Sequence, residues 1–322
     1  MLRTRAAPLA PRGDDLAVLA VDVSPDTRLA HAARRLTIDG TAARVVEAFA
    51  SAGVRCILLK GASLSDLYEG GRQYSDVDLL VAPATLDSAE RALARLGFEL
   101  RHDDPHSRIW RRDVLDVDLH TTLVGAGVER ARVWEVLSGQ TETIPVGGAQ
   151  VEALNGPGRA LHVVLHAAQH GTEEPKPRED VRRAVERFSD DFWRAAADLA
   201  GELGAEAAFW AGLGVEPTAI ELRSRLSIER VSGTETELRA ATAPPTAVGL
   251  LRLARTPGLR AKSALVWHEA FPSKAFLLNW SPLARRGRVG LGLAYIWRPV
   301  WMLLRLGPAL AAIRRARRAA ER

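Results

Sequence analysis

Three aspartates and one lysine carry the chemistry this chain is equipped to do. Residues 57–81 read I-L-L-K-G-A-S-L-S-D-L-Y-E-G-G-R-Q-Y-S-D-V-D-L-L-V. An apolar run (Val54, Cys56, Ile57, Leu58, Leu59) ends in Lys60-Gly61-Ala62-Ser63, and a second apolar run carries Asp76-Val77-Asp78. Two carboxylates two residues apart on a strand point to the same face, with Cα atoms about 6.6–7 Å apart, so both can converge on one divalent ion. A turn of small residues after a strand lets backbone N–H groups approach phosphates closely. These are the parts for holding a metal–triphosphate.

A further acid lies downstream. Leu115-Asp116-Val117-Asp118-Leu119-His120 alternates, which puts Asp116, Asp118 and His120 on one face and Val117 and Leu119 toward a core. Three anions packed together repel unless a cation lies between them. A strand with a solvated polar face is the ordinary meaning of such alternation. That reading suits Asp116, while Asp76, Asp78 and Asp118 together read as a metal site.

The pattern L-L-K-G, then Tyr68, Arg72, S-D-V-D-L-L-V and D-L-H resembles the uncharacterised nucleotidyltransferase family of the DNA polymerase β superfamily. The resemblance covers residues 40–125 and extends more weakly through residues 161–185, where H-x3-H precedes R-x-D-V-R-R-A. The superfamily's usual turn has Gly followed directly by Gly or Ser, whereas here Ala62 intervenes before Ser63. Phosphate could therefore be held by Ser63 or by backbone alone.

The resemblance implies Mg²⁺ (or Mn²⁺) as cofactor and a nucleoside triphosphate as substrate. Asp76 and Asp78 would bind the metal that carries the nucleotide phosphates. Asp118 would bind a second metal where an acceptor hydroxyl loses its proton. Two ions about 3.5–4 Å apart would stabilise the attacking and leaving oxygens of an in-line displacement. Gly61 and Ser63 would cradle the β- and γ-phosphates, and Arg72, four residues before Asp76, would neutralise phosphate charge. Lys60 is either a phosphate contact or a lysine that ends a strand at the surface. His120 shares the face of Asp118 and is an accessory candidate, or else donates to a backbone carbonyl. Tyr68 reads as packing of a helix on the sheet, with stacking on a base as the alternative.

The elements that must position these residues can be read from the spacing. Residues 25–52 have helical periodicity, with a break expected at Asp39-Gly40 that would make two helices and a stop at Ser51-Ala52-Gly53. Strands are expected over 54–60, 77–81, 98–101 and 107–111 and around Asp118, with a turn at Gly70-Gly71 and a hairpin turn at Arg112-Asp113. Pro83 opens a helix that runs to Leu96 and is capped by Gly97. Past residue 153 the spacing is helical over 157–171, 178–188, 190–203 and 205–213, with joints at Pro244-Pro245 and Pro257-Gly258. The expected fold class is α+β: a nucleotidyltransferase-type mixed β-sheet flanked by helices, then a mostly helical domain. The expected divisions are 1–37 (a helical extension, partly disordered), 38–152 (catalytic core), 153–275 (helical domain) and 276–322 (basic amphipathic tail).

Composition bounds the remainder. At 322 residues about two domains are expected, and 47% hydrophobic content is ample for a core. The charge of +5 is mildly basic and carried overwhelmingly by arginine, the lysines being only Lys60, Lys176, Lys262 and Lys274. A single cysteine, Cys56, excludes an internal disulfide and reads as buried packing. No signal peptide is read in the first residues, and the expected location is cytoplasmic. His162, His166 and His170 recur at i, i+4, i+8; they read as core or interdomain histidines, the alternatives being a zinc pair or contacts to the nucleotide if a helical domain closes over the site.

Residues 289–313 are rich in Leu, Ala, Trp and Gly but contain Arg298, Pro299, Arg305 and Pro308, which argues against a membrane span. With Tyr295, Trp297, Trp301 and the basic cluster 314–318, this tail is either a helix packed on the second domain or a peripheral membrane contact. No specific nucleic acid is expected as a partner. The expected activity is Mg-dependent transfer of NMP from an NTP, ATP being the first guess, to a hydroxyl of a small-molecule or peptide/protein acceptor. A phosphotransferase on the same site and a non-catalytic binding partner are the alternatives.

Overall fold

A computed structural model describes residues 25–69, 72–103, 107–171, 174–231, 233–240 and 245–321. The expectations for residues 1–24 and for the Gly70-Gly71 turn lie outside the described residues. The chain opens with α1 (Pro25–Ser51), β1 (Cys56–Leu58), a 3-10 turn (Gly61–Leu67) and β2 (Asp76–Val81). Then come α2 (Leu86–Arg95), β3 (Glu99–Asp103), β4 (Ser107–Arg112), β5 (Leu115–His120), α3 (Arg130–Leu137), β6 (Thr141–Val146) and β7 (Ala149–Leu154). The seven strands form one mixed sheet in the order β3-β4-β5-β2-β1-β7-β6. β2 runs parallel to β5 and antiparallel to β1, and β1 runs parallel to β7. The α+β class and the mixed sheet flanked by helices are as the sequence reading has them.

Alternation sorts the central strands between two cores. Cys56 and Leu58 of β1, Val77, Leu79 and Val81 of β2, and Val117 and Leu119 of β5 join a cluster with α1 and α2. Ile57, Leu59 and Leu80 point the other way, into a cluster built mainly from helices. Asp76 and Asp78 share the parity of Leu80 and therefore face the helical side. Because both faces of β1 and β2 are covered, these strands read as continuous apolar runs rather than alternating ones.

Two expectations about this half need correction. The break at Asp39-Gly40 does not occur, because α1 is one helix of 27 residues. Ile38, Ala42, Val45 and Phe49 form a buried stripe that runs straight across Gly40, and Asp39 accepts a hydrogen bond from the Tyr74 hydroxyl. A glycine inside a helix costs about 1 kcal/mol, less than burial of one of these large side chains returns. The β6–β7 hairpin and α3 were not anticipated. The hairpin turns on Gly147-Gly148, both at positive φ as a tight hairpin turn demands. Pro145 in β6 masks the strand signal, and it is tolerated because β6 is an edge strand.

The rest is helical: α4 (Gly156–His170), α5 (Pro175–Arg187), α6 (Asp190–Glu202), α7 (Glu206–Leu213), α8 (Pro217–Arg225), α9 (Thr234–Ala240), α10 (Pro245–Arg255), α11 (Leu259–Ala270), α12 (Lys274–Trp280) and α13 (Gly287–Ala320). Asn155 caps α4 by accepting from the Gly158 N–H, and Ser189 caps α6 by accepting from the Phe192 N–H. Leu161, Val164 and Leu165 of α4 share one apolar cluster with Ile57, Leu59 and Leu80 of the sheet. The helical side is thereby docked on the strands that carry the acids.

α7 approaches α4 so closely that a Cβ on Gly212 would lie 2.1 Å from the Val164 carbonyl oxygen. Backbone cannot yield as a side chain can. Gly212→Ala is therefore expected to lower unfolding free energy by about 2–3 kcal/mol in a urea titration, and an unchanged midpoint would contradict this packing.

Candidate active site

Register places the acids. In the parallel β2–β5 pair, Asp78 lies opposite Asp118, Asp76 opposite Asp116, and Leu80 opposite His120. Neighbouring parallel strands are about 4.8 Å apart, so Asp78 and Asp118 meet across one inter-strand gap. His120 bridges them: its Nε2 lies 3.4 Å from Asp78 Oδ1 and 3.3 Å from Asp118 Oδ2. Lys60, at the end of β1, reaches in from the other neighbour and places Nζ 2.9 Å from Asp78 Oδ1. Gly61, at φ +75°, turns the chain away immediately afterwards, a conformation that favours glycine. Ser63 follows with its Oγ buried and without a hydrogen-bond partner among the described residues.

These charges settle one another. Burial raises the Asp78 carboxyl, but Lys60 and His120 outweigh it and hold the group well below the ordinary carboxylate range. Burial opposes charge on His120, yet Asp118 and Asp78 raise its pKa to about 9. Burial and the neighbouring Asp78 push Asp76 upward, opposed by Lys60 and by Lys176 of α5. Burial likewise disfavours the Lys60 ammonium, and Asp78, Asp76 and Asp118 together more than restore it. The ammonium and the imidazolium thus neutralise a pocket whose preference is for cations.

A divalent ion fits that pocket. Asp78 Oδ2 and Asp118 Oδ1 are buried without a hydrogen-bond partner among the described residues. Asp78, Asp118 and His120 offer ligand atoms that all lie within 4.8 Å of one another. An orphaned buried carboxylate oxygen is costly, and a hard cation is the group that satisfies several at once. The expected set was Asp76, Asp78 and Asp118; the compact group has His120 in place of Asp76, which sits one alternation earlier, at the start of β2.

Arg72 was expected to face phosphate from a loop. It is buried instead, and donates from Nε (2.8 Å) and Nη2 (2.6 Å) to the two carboxylate oxygens of Asp180 on α5. The Tyr68 hydroxyl donates to the same Asp180, 2.6 Å away. Tyr68 therefore does pack, and it also ties the 3-10 turn to α5. Asp116 lies outside the cluster and pairs with Arg111, so its ordinary reading stands. Cys56 is buried and its thiol is pushed up to about 12 by burial, as suits a packing residue.

The helical side supplies residues that sequence reading did not assign. Arg159 of α4 donates from Nη1 to the Ser63 carbonyl (2.8 Å) and pairs with Asp66, pinning the turn that Gly61 opens. As one arginine among many, it carried no signal. Lys176 stands at the start of α5, in electrostatic reach of Asp76. Its signal was present: two of the four lysines in an arginine-dominated chain belong to this cleft. His162, His166 and His170 line α4 with ring centroids 6.2 and 4.6 Å apart, and burial followed by Lys60 lowers His162 to about 3 and His166 to about 2. His162 and His166 are neutral imidazoles within electrostatic reach of Lys60.

The model of the uncharacterised nucleotidyltransferases matches residues 26–216. The chain belongs to that family. It is accordingly a transferase, and the group it moves is a nucleoside monophosphate. No curated protein matches the chain. Among solved structures, the solution structure of the antibiotic-resistance factor ANT(2″)-Ia is similar with 14% identity and a TM-score of 0.42, covering 52% of this chain and 95% of that one. A crystal structure of ANT(2″)-Ia in complex with adenylyl-2″-tobramycin has 13% identity and a TM-score of 0.33, covering 56% and 94%. An antigenic nucleotidyltransferase-like protein from Paracoccidioides brasiliensis has 14% identity and a TM-score of 0.33, covering 52% and 93%.

Two expectations follow from the geometry of this nucleotidyltransferase. Asp180→Ala would strand the buried Arg72 charge and cost about 3–5 kcal/mol, visible in chemical denaturation. His162 and His166 have folded-state pKa values of about 3 and about 2, below the unfolded value near 6.5. The unfolded chain then binds more protons across that interval, so stability should fall as pH drops below about 6.5. In a His162→Gln/His166→Gln double variant the slope of Tm against pH between about 6.5 and 4 should flatten; an unaltered slope would contradict burial of neutral imidazoles.

Proposed function

We propose that this nucleotidyltransferase transfers NMP from an NTP, under Mg²⁺ or Mn²⁺, to a hydroxyl of an acceptor molecule. The observation that carries the reading is the pair of buried carboxylate oxygens on Asp78 and Asp118, without partners among the described residues, one strand apart and beside the turn of Gly61 and Ser63. Asp76, Asp78 and Asp118 would hold the metal, with His120 beside them. A divalent ion bound there supplies Lewis-acid stabilisation of charge on the phosphate and acceptor oxygens.

The chain's own residues do the rest. Lys60 gives up Asp78 and turns its ammonium to the phosphates, for which Gly61 and Ser63 offer backbone N–H groups and a free hydroxyl. Arg72 holds α5 in place behind the cleft, through its Nε and Nη2 on Asp180. Asp118 accepts the proton of the acceptor hydroxyl. The acceptor oxygen forms its bond to the α-phosphorus as the bond from that phosphorus to the bridging oxygen breaks, and pyrophosphate leaves with the electron pair. Most of the rate enhancement then comes from positioning and fixed charge. Among the described residues no helix is long and apolar enough to cross a membrane.

Calorimetry with the four NTPs and Mg²⁺ tests the donor site. Metal-dependent binding of one NTP is expected in the wild type and its loss in Asp76→Asn/Asp78→Asn, whereas no binding by folded wild type would defeat the proposal. Asp118→Asn should keep nucleotide binding and lower transfer by about 10²–10⁴-fold. With α-labelled ATP, label on the acceptor supports nucleotidyl transfer, while release of labelled ADP would identify a phosphotransferase instead.

A further inference from the structure

The long helix α13 is apolar on two opposite faces, and among the described residues only one of them is covered. Ala294, Arg298, Ala309, Ala312, Ile313 and Ala316 are buried, against α9, α10 and α12. Arg298 on this covered face lies over the rings of Phe276, Trp280 and Trp301. On the other side Val289, Leu293, Ile296, Val300, Leu303 and Leu310 recur at steps of three, four and seven, which makes one continuous stripe. Trp297 and Leu304 widen it, and Val289, Ile296, Leu303 and Leu304 expose 64–78% of their surface. At 1.5 Å per residue the stripe is about 30 Å long. An apolar patch of that length on a water-facing surface marks a binding site.

Charge decides the occupant. α13 carries Arg288, Arg298, Arg305, Arg314, Arg315, Arg317 and Arg318 and no Asp or Glu. The step of four from Leu310 continues to Arg314 and Arg318, so the exposed face passes from apolar to basic on one side of the helix. Arg285, Arg286 and Arg288 stand exposed at the other end. A second copy docked here would set arginines on arginines in either orientation, with no acid on the helix to relieve them. A surface that takes apolar side chains to a depth of about 5–10 Å and offers anions at its boundary matches both features.

We propose that the exposed face of α13 is a peripheral docking surface for an anionic lipid bilayer, lying in the interface with its arginines on the lipid headgroups. The helix lies on the membrane and does not cross it, in keeping with the charges and prolines within it. Neighbouring α11 also presents Leu259, Val266 and Trp267 to solvent and lies beside α13. The surface is independent of the nucleotide site, so the two proposals stand or fall separately.

Flotation of the full chain with vesicles of phosphatidylcholine, with and without phosphatidylglycerol, tests it. The protein should float with the anionic vesicles, release in high salt, and show a blue shift of tryptophan emission. Ile296→Glu/Leu303→Glu/Leu304→Glu changes only solvent-facing side chains, so circular dichroism and Tm should hold while flotation is lost. Arg314→Ala/Arg315→Ala/Arg318→Ala should lower partitioning on the order of a hundredfold and reduce its salt dependence. Failure of the folded wild type to bind anionic vesicles would overturn the proposal. So would a dimer in analytical ultracentrifugation that the glutamate variant dissolves, which would assign the face to a second copy. Retention of full vesicle binding by the glutamate variant would overturn the location.

Discussion

Negative charge that must be buried is the constraint around which this protein is arranged. Asp78 is almost completely enclosed, and Asp118 and Asp76 stand on the same side of the sheet. Water cannot solvate such a group, so the protein supplies Lys60 at 2.9 Å and the His120 imidazole between the two carboxylates. Two oxygens are still left without partners among the described residues. A scaffold with no ligand to bind gains nothing from that arrangement. On the proposed function, a protein that takes up a metal–nucleotide complex gains a site already shaped for positive charge, with an ammonium to release to the phosphates.

The sheet and the helical side have to meet for this to work. Residues of β1 and β2 alternate between two apolar clusters, and the acids share the parity of the residues that pack on α4. The floor of the site is therefore strand and its wall is helix. Arg159 pins the Ser63 carbonyl, while Arg72 and Tyr68 both fasten Asp180 on α5. A buried ion pair of this kind is poor evidence for net stability, because desolvation offsets much of its attraction, but it penalises any arrangement in which one partner is left alone. Its effect is to fix where α5, and with it Lys176, stands over the acids.

The C-terminal helices answer to a different requirement. α13 satisfies its covered face with alanines and with Arg298 laid over three aromatic rings, which lets a cation sit inside an otherwise apolar contact. Its other face repeats leucine, isoleucine and valine that no described residue covers. A helix that is apolar all round is ordinarily enclosed by protein or by lipid. Here the described residues enclose one half.

Much of this was written in the sequence. The switch from apolar run to Lys60-Gly61 and the i, i+2 spacing of Asp76 and Asp78 put those two acids on one face of a strand, because strand periodicity is local and leaves little choice of face. The same locality gave the helices from α4 to α7 and the hairpin turn at Asp113. What spacing could not decide was pairing. Nothing in residues 57–120 states that β5 lies beside β2 in the register that sets Asp78 against Asp118, or that His120 would then enter the group ahead of Asp76. Nor could a sequence tell Arg72 facing phosphate from Arg72 buried on Asp180, since both need the same residue and the partner lies 108 positions away. Gly40 shows the converse: the local signal for a break was real, and a buried stripe running past it outweighed it. Residue types and short-range periodicity determined which groups are available; long-range packing, whose energies exceed any single propensity, decided which of them meet.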